Sequence, residues 1–187
     1  MSLPIFYICG VTKRILITGG PGFGKSSIVE HLENRGYKVF HEVAREIIRE
    51  EQLKSGEALP WVNIQAFSDK VLEGRLRQHA EGKETISFYD RGLPDIAAFI
   101  LKDKKEIPEN ILQYCSSIRY HSKVFITPPW ESIFHRDEER KEDFAAAIKV
   151  HKAIEQLYPE LGYELVSVPM GSIRWRAEFV LQNLGMM

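Results

Sequence analysis

Short apolar runs alternate along this chain with longer stretches in which apolar residues recur every three or four positions. The short runs are rich in β-branched and aromatic residues, a composition typical of strands rather than helices. They predict five strands, over residues 14–18, 37–43, 85–89, 122–127 and 164–168. Because strands that alternate with helices form a parallel sheet covered on both faces, the pattern predicts a three-layer α/β fold with a mainly parallel sheet.

The longer stretches predict the helices of that fold. Behind the first strand, Ile28, Val29 and Leu32 recur at helical spacing, and Gly36 stands where a left-handed residue would end the helix. Similar apolar stripes predict further helices over residues 44–53, 61–80, 144–158 and 173–184. A length of 187 residues with 44% hydrophobic content supports one core. We therefore expect a leader over residues 1–12 and a single domain over residues 13–187.

A glycine-rich segment follows the first predicted strand directly and adds chemistry to this pattern. It has the sequence Gly19-Gly20-Pro21-Gly22-Phe23-Gly24-Lys25-Ser26, which is the Gly-x-x-x-x-Gly-Lys-Ser motif of a P-loop. A strand, a glycine-rich turn and a helix in this order aim backbone N–H groups and the positive helix end at one point, where a polyphosphate binds. We predict that this loop and Ser27 bind ATP or GTP, that Lys25 reaches the β- and γ-phosphates, and that Ser26 ligates Mg²⁺.

The third predicted strand ends in acidic and basic residues. Ligands of such sheets lie beyond the carboxyl ends of the strands, so Asp90 is predicted to hold Mg²⁺ opposite Ser26, and Arg91 to face phosphate oxygens. The alternatives are a turn or helix-capping role for Asp90 and a surface ion pair for Arg91. Asp95 is a weaker candidate, since it also suits the first turn of the next helix.

The second predicted strand contains a candidate residue for contact with the phosphate acceptor. Glu42 would emerge at the same sheet edge as the P-loop, where a carboxylate could orient or deprotonate an acceptor hydroxyl. The alternative is that Glu42 is a charge at a helix N-terminus. Arg45 is similarly divided between contact with the acceptor and a solvated helix face.

Two later segments could complete the site. Arg136 and Arg140 lie four residues apart in a charged stretch over residues 130–143, so one helical face could present both to a leaving phosphate, as a lid does. The alternative is a solvated charge run in which Asp137 pairs with Lys141. The loop over residues 169–172 could border the base, and the sequence leaves the choice between adenine and guanine open.

Overall charge and cysteine usage narrow the expected partners. The net charge of −1 and the pI near 6.6 give no basis for nucleic-acid binding, and the apolar residues 5–9 are too few to span a bilayer.

Cys9 and Cys115 have no metal-binding spacing and are expected to be free thiols of a cytoplasmic protein. No histidine pair has metal-ligand spacing, so the metal is expected to arrive with the nucleotide. The oligomeric state is left open.

These motifs together resemble a known family. The P-loop, the sequence Glu-Val-Ala-Arg-Glu at residues 42–46, the sequence Tyr-Asp-Arg-Gly-Leu-Pro-Asp at residues 89–95 and an arginine-containing lid are similar to those of AAA-type P-loop ATPases and kinases related to the kinase half of NadR, the ribosylnicotinamide kinases. The resemblance covers roughly residues 12–185. It implies a nucleoside- or nucleotide-kinase-like fold. It also implies that Lys25, Ser26, Asp90, Arg136 and Arg140 act on phosphates, and that Glu42 lies near the acceptor.

Two functional hypotheses follow. The first is an ATP- and Mg²⁺-dependent phosphotransferase for a small hydroxyl-bearing metabolite, with residues 60–82 and 93–117 forming the acceptor side. The second is a nucleotide-dependent switch that hydrolyses ATP or GTP slowly and binds a protein or lipid partner. The absence of an Asn-Lys-x-Asp motif argues against an ordinary small GTPase.

Overall fold

The fold is built on a central sheet whose strands all run parallel. A computed structural model describes residues 14–82, 86–135 and 143–186, and within them the sheet has five strands in the order β2-β3-β1-β4-β5. The strands are β1 Arg14–Gly19, β2 Lys38–Phe40, β3 Ser87–Asp90, β4 Lys123–Thr127 and β5 Glu164–Ser167. The predicted α/β fold with a five-stranded parallel sheet is confirmed.

Helices cover both faces of the sheet. They are α1 Lys25–Asn34, α2 Val43–Leu53, α3 Ile64–Glu81, α4 Leu93–Leu101, α5 Glu109–Ser117, α6 Phe144–Glu160 and α7 Ile173–Asn183. The predicted helices are present with bounds shifted by up to three residues, and Gly36 has the expected positive φ of 87°. The sequence pattern did not resolve α4 and α5 as helices.

The second strand is shorter than predicted. The apolar pattern favoured a strand over residues 37–43, but β2 ends at Phe40 and Val43 already begins α2. Val43 packs with Ile47 and Val71 in a small cluster between α2 and α3, and this contact requires helical spacing. Glu42 is therefore the residue that precedes the first turn of α2, with extended backbone torsions.

Two apolar cores hold the layers together. One lies between the sheet and helices α4, α5 and α6, and includes Leu16, Tyr89 and Ile154. The other lies between the opposite face and helices α1 and α7, and includes Ile17, Phe88 and Val180. Because β1 is central and its neighbours β3 and β4 continue into helices on the other side of the sheet from α1, a crevice opens at its carboxyl end, and the P-loop lies there.

Across the three described ranges, no helix is both long enough and apolar enough to cross a membrane.

Candidate active site

The P-loop joins β1 to α1 through glycines that other residues could not replace without strain. Gly22 and Gly24 have left-handed φ values of 81° and 74°, and Gly24 is the residue before the first turn of α1. A Cβ atom at Gly20 would collide with the ring of Phe23 and lie 2.6 Å from the carbonyl oxygen of Ala147. The loop is thus shaped by its backbone, and the N-terminus of α1 opens toward the crevice, an arrangement that suits phosphate binding.

Lys25 is held at the mouth of this loop. Its side chain is buried, and its ammonium donates to the carbonyl oxygen of Gly20 at 2.9 Å. Burial, followed by repulsion from Arg91, lowers the pKa of Lys25 to about 8. Phosphate oxygens would give this cation more favourable partners than one carbonyl oxygen does, so the site favours an anion beside Lys25.

Ser26 and Asp90 meet as the sequence predicted. The hydroxyl of Ser26 donates to one carboxylate oxygen of Asp90 at 2.6 Å, while the other oxygen, Oδ1, is buried and has no hydrogen-bond partner. Burial and the neighbouring charge of Glu42 raise the pKa of Asp90. A hydroxyl beside a carboxylate with one unsatisfied oxygen is a donor set that Mg²⁺ accepts, directly or through its water shell. The residues present therefore fit the metal.

Arg91 lies elsewhere than predicted. Its guanidinium is buried and donates to Glu42 Oε1 at 2.6 Å and to Asp95 Oδ1 at 3.0 Å, with the ring of Phe99 5.1 Å away. The backbone of Arg91 has a φ of 72°, a conformation that is costly for a residue other than glycine. Two carboxylates thus hold the guanidinium, and it orients Glu42 instead of facing the P-loop as the prediction had it.

Asp95 is the centre of a buried hydrogen-bond network. Beyond Arg91, it accepts from the hydroxyls of Thr18 at 2.6 Å and Tyr158 at 2.7 Å and from the backbone N–H of Gly92 at 2.8 Å. Burial alone would raise the pKa of Asp95, but Arg91 and Arg75 lower it. Since every partner is a donor, the carboxylate stays ionised and joins β1, α4 and α6 behind the site.

Glu42 lies at the centre of the site. Its side chain is 14% exposed, and its second oxygen is 3.7 Å from the guanidinium of Arg45. Burial favours the neutral acid, but Arg91, followed by Lys25, brings the pKa of Glu42 down to about 2. The carboxylate is therefore ionised at neutral pH, and in the free protein it is a strong hydrogen-bond acceptor but a weak base.

Two cavities meet at Glu42 and Arg45. The first, of about 400 Å³, lies beside the P-loop and is lined by residues that include Lys25, Ser26 and Gly171. The second, of about 650 Å³, lies between α2, α3 and α4 and is lined by segments within the predicted acceptor side, residues 60–82 and 93–117. Glu42 and Arg45 line both cavities, so the side chains at the junction face both compartments.

The wall of the P-loop cavity contains a residue that the sequence did not reveal. Arg176 on α7 is buried and donates to the carbonyl oxygens of Phe23 at 3.1 Å and Gly24 at 3.3 Å, and its guanidinium lies 5.5 Å from the ring centre of Trp130. Arg176 thus ties the P-loop to two distant segments. Gly171, from the loop predicted to border the base, lines the same cavity. Arg136 and Arg140 lie outside the described residues.

Comparisons with known proteins identify a family and a shared fold. A family described as an AAA domain matches residues 14–176. Among the curated proteins, none matches the sequence.

Solved kinase structures share the fold. A deoxyadenosine kinase from M. mycoides, with the products dCMP and dCDP bound, aligns at a TM-score of 0.66 and 19% identity, covering 93% of this chain and 100% of that one. Thymidylate kinase from Candida albicans aligns at a TM-score of 0.66 and 18% identity, covering 92% of this chain and 90% of that one. Shikimate kinase from Acinetobacter baumannii, in complex with shikimate, aligns at a TM-score of 0.55 and 16% identity, covering 94% of this chain and 93% of that one. At these identities the likeness establishes the fold.

Proposed function

This chain belongs to the AAA domain family, and we propose that it is an ATP- and Mg²⁺-dependent kinase that phosphorylates a hydroxyl group of a small molecule. The observation that carries the proposal is the junction of the two cavities at Glu42 and Arg45. A switch or a simple hydrolase needs the P-loop cavity alone, whereas a transferase needs a second compartment that opens toward the terminal phosphate. The closer relation to ribosylnicotinamide kinases stays a prediction.

The donor side is assigned from the P-loop. The triphosphate would lie over the N-terminus of α1, with Lys25 moving from the carbonyl oxygen of Gly20 to the β- and γ-phosphates. Ser26 and Asp90 would hold Mg²⁺, which when bound neutralises charge on the phosphates. The base would lie toward Trp130 and Gly171, and the geometry leaves ATP and GTP as alternatives.

The acceptor side is assigned from Glu42. Phosphoryl transfer has a loose transition state, so catalysis consists mainly of positioning and charge stabilisation. Glu42, fixed by Arg91 at 2.6 Å, would accept a hydrogen bond from the acceptor hydroxyl and align its oxygen with the γ-phosphate. A carboxylate with a pKa of about 2 is too weak a base to remove the proton early. We therefore assign it orientation first and proton acceptance late in the transfer.

The proposal is tested by measuring acceptor-dependent ADP release with ATP and Mg²⁺ across nucleosides and related small alcohols. We expect release with at least one acceptor, and a loss of about 10²-fold in kcat for Glu42→Gln. The matched control is Glu46→Gln, one turn later on α2, where the side chain is exposed and the substitution should leave the rate unchanged. Equal rates for Glu42→Gln and wild type would exclude the assigned role. ADP release at the same rate with and without every acceptor tested would favour the nucleotide switch.

A further inference from the structure

The second cavity, called here the acceptor cavity, has an apolar middle. Between its ends, the walls consist of aliphatic and aromatic side chains from α2, from the connection before α3, from α3 and from α4. These side chains are Ala44, Ile48, Pro60, Trp61, Ile64, Phe67, Val71, Ile96, Phe99 and Ile100. Ser68 is the one uncharged polar residue lining it among the residues that the structure describes.

Among the described residues, the charged residues that line this cavity lie at its two ends. Glu42, Arg45 and Arg75 lie at the end near the P-loop, where α4 begins. Lys102, Asp103 and Lys105 lie at the other end, where α4 finishes. Ile96 and Lys102 are six helical steps apart on α4 and its C-terminal cap, which corresponds to roughly 9 Å along the axis. A molecule of that length would therefore place its reacting hydroxyl at Glu42 and its body against apolar walls.

Five of the six charged residues at these ends, all except Lys105, have partners of opposite charge in the part of the chain that the structure describes. The guanidinium of Arg75 donates to the carbonyl oxygen of Gly92 and lies 3.8 Å from Asp95. Arg45 pairs with Glu42 at 3.7 Å, and Lys102 pairs with Asp103 at 3.0 Å. An anionic acceptor would have to compete with the partners of Arg45, Arg75 and Lys102, so these cations do not favour such a molecule.

Among the described residues, the lining of the acceptor cavity has no side-chain amide that could recognise the hydrogen-bonding edge of a nucleobase. Within the described part of the chain, no asparagine or glutamine lines the acceptor cavity, and a single serine hydroxyl cannot satisfy both donors and acceptors of a nucleobase edge. A base placed there would lose hydrogen bonds to water without replacing them, at a cost of about tenfold or more in affinity.

We propose that the phosphate acceptor is an alcohol with an apolar or aromatic body, recognised by shape rather than through a hydrogen-bonding base edge. This inference rests on the proposed function, since it names the class of molecule phosphorylated at the same site.

A matched pair of ribosides tests the inference. Uridine and the riboside that carries a phenyl ring in place of uracil have the same sugar and hydroxyl groups and differ in the hydrogen bonds of the ring. We expect the phenyl riboside to bind about tenfold more tightly, measured by calorimetry with ADP and Mg²⁺ present, and to have the higher kcat/KM in the ADP-release assay. Shikimate, which is an anion, should bind more weakly than either.

A variant that supplies the missing amide sharpens the test. Phe67→Gln places an amide in the cavity wall at a half-buried position of α3, and should reduce the preference for the phenyl riboside by at least threefold. The matched control is Phe179→Gln, the same change at a half-buried position of α7 on the opposite side of the sheet, where the preference should not change.

The outcomes separate this inference from the proposed function. If uridine binds as well as the phenyl riboside or better, or if neither binds, the inference is overturned even where phosphate is transferred. If the phenyl riboside binds preferentially and no riboside or other alcohol supports ADP release, the acceptor class stands as a binding preference and the kinase proposal fails.

Discussion

The two cavities that meet at Glu42 are built in different ways. The P-loop cavity takes its shape from backbone, with glycines at positive φ and the first turn of α1, and its lining residues Lys25 and Ser26 come from one short motif. The acceptor cavity takes its shape from apolar side chains on three separate helices. A backbone cradle binds the phosphates that many nucleotides share, whereas a wall of side chains can differ between proteins that share the fold.

Specificity for the phosphate acceptor is expected to reside in the acceptor cavity. Substitutions in the P-loop cavity should change nucleotide binding and turnover for every acceptor alike. Substitutions in the acceptor cavity should change the order of preference among acceptors. A P-loop variant that changes the order of preference among acceptors would contradict this division of roles between the cavities.

The largest expected effect concerns Lys25. Lys25→Ala should reduce turnover by about 10²–10³-fold, because the cation that stabilises charge on the transferred phosphate is lost. Acceptor binding should stay as in wild type. Since an ammonium buried with one carbonyl partner is costly to fold, the free energy of unfolding should be unchanged or higher.

Steady-state kinetics and urea denaturation check this prediction. Lys38→Ala, at an exposed lysine of β2 that donates to the carbonyl oxygen of Glu81, is the control and should keep full turnover. Retention of wild-type turnover by Lys25→Ala would contradict the assignment of the P-loop cavity.

The next effect concerns the network between the cavities. Asp95→Asn should lower the free energy of unfolding by about 3–5 kcal/mol, because it leaves two buried guanidinium groups, Arg91 and Arg75, without their shared carboxylate. Asp103→Asn removes an exposed pair with Lys102 and should cost less than about 1 kcal/mol. Urea denaturation measures both.

Tyr158→Phe is the milder variant if Asp95→Asn does not fold. It removes one hydrogen bond to Asp95 and should cost about 1 kcal/mol. Stabilities of Asp95→Asn and Tyr158→Phe equal to that of wild type would mean that Asp95 does not hold the site together.

A smaller effect is expected at Arg176. Arg176→Gln should weaken nucleotide binding by about tenfold, because the two hydrogen bonds that fix the carbonyl groups of Phe23 and Gly24 are lost. Arg176→Lys should restore it only in part, since an ammonium lacks the planar fork of the guanidinium. Arg174→Gln, at an exposed position of the same helix, is the control. Calorimetry with ADP and Mg²⁺ measures all three, and weakened phenyl riboside binding in Arg176→Gln would break the division between the cavities.

The sequence predicts those parts of the two cavities that are local in the chain, and it does not predict contacts between distant residues. The P-loop lies in one contiguous motif, and Asp90 directly follows the third predicted strand, so both could be placed without knowing the fold. Arg91 could not be oriented, because its partner Glu42 lies 49 residues away. Arg176 was missed since it contacts the P-loop from 152 residues away.

The same reasoning applies to the elements of the fold. Four of the strands are apolar runs that the sequence pattern alone identifies. The predicted second strand was too long, because an apolar residue such as Val43 suits either a strand or a helix. Helix α4 has few polar positions, with Leu93, Pro94, Ala97 and Ala98 all buried, so its helical period is hidden in the sequence. The acceptor cavity depends on α4, and for that reason its shape was the part least accessible to prediction.

The smallest expected effect is a proton taken up on nucleotide binding. In the free protein the pKa of Lys25 is about 8, below its ordinary value of 10.5, and phosphate oxygens would raise it. Between the pKa of Lys25 in the free protein and its higher pKa in the complex, the complex holds more protons than the free protein. Nucleotide affinity should therefore be constant below about pH 8 and fall above it, by at most about tenfold per pH unit. Calorimetry near pH 8.5 in two buffers of different ionisation enthalpy should detect an uptake of less than about one proton. Lys25→Arg keeps the cation without a titration in this range and should remove the uptake, and an equal uptake in both proteins would show that another group takes up the proton.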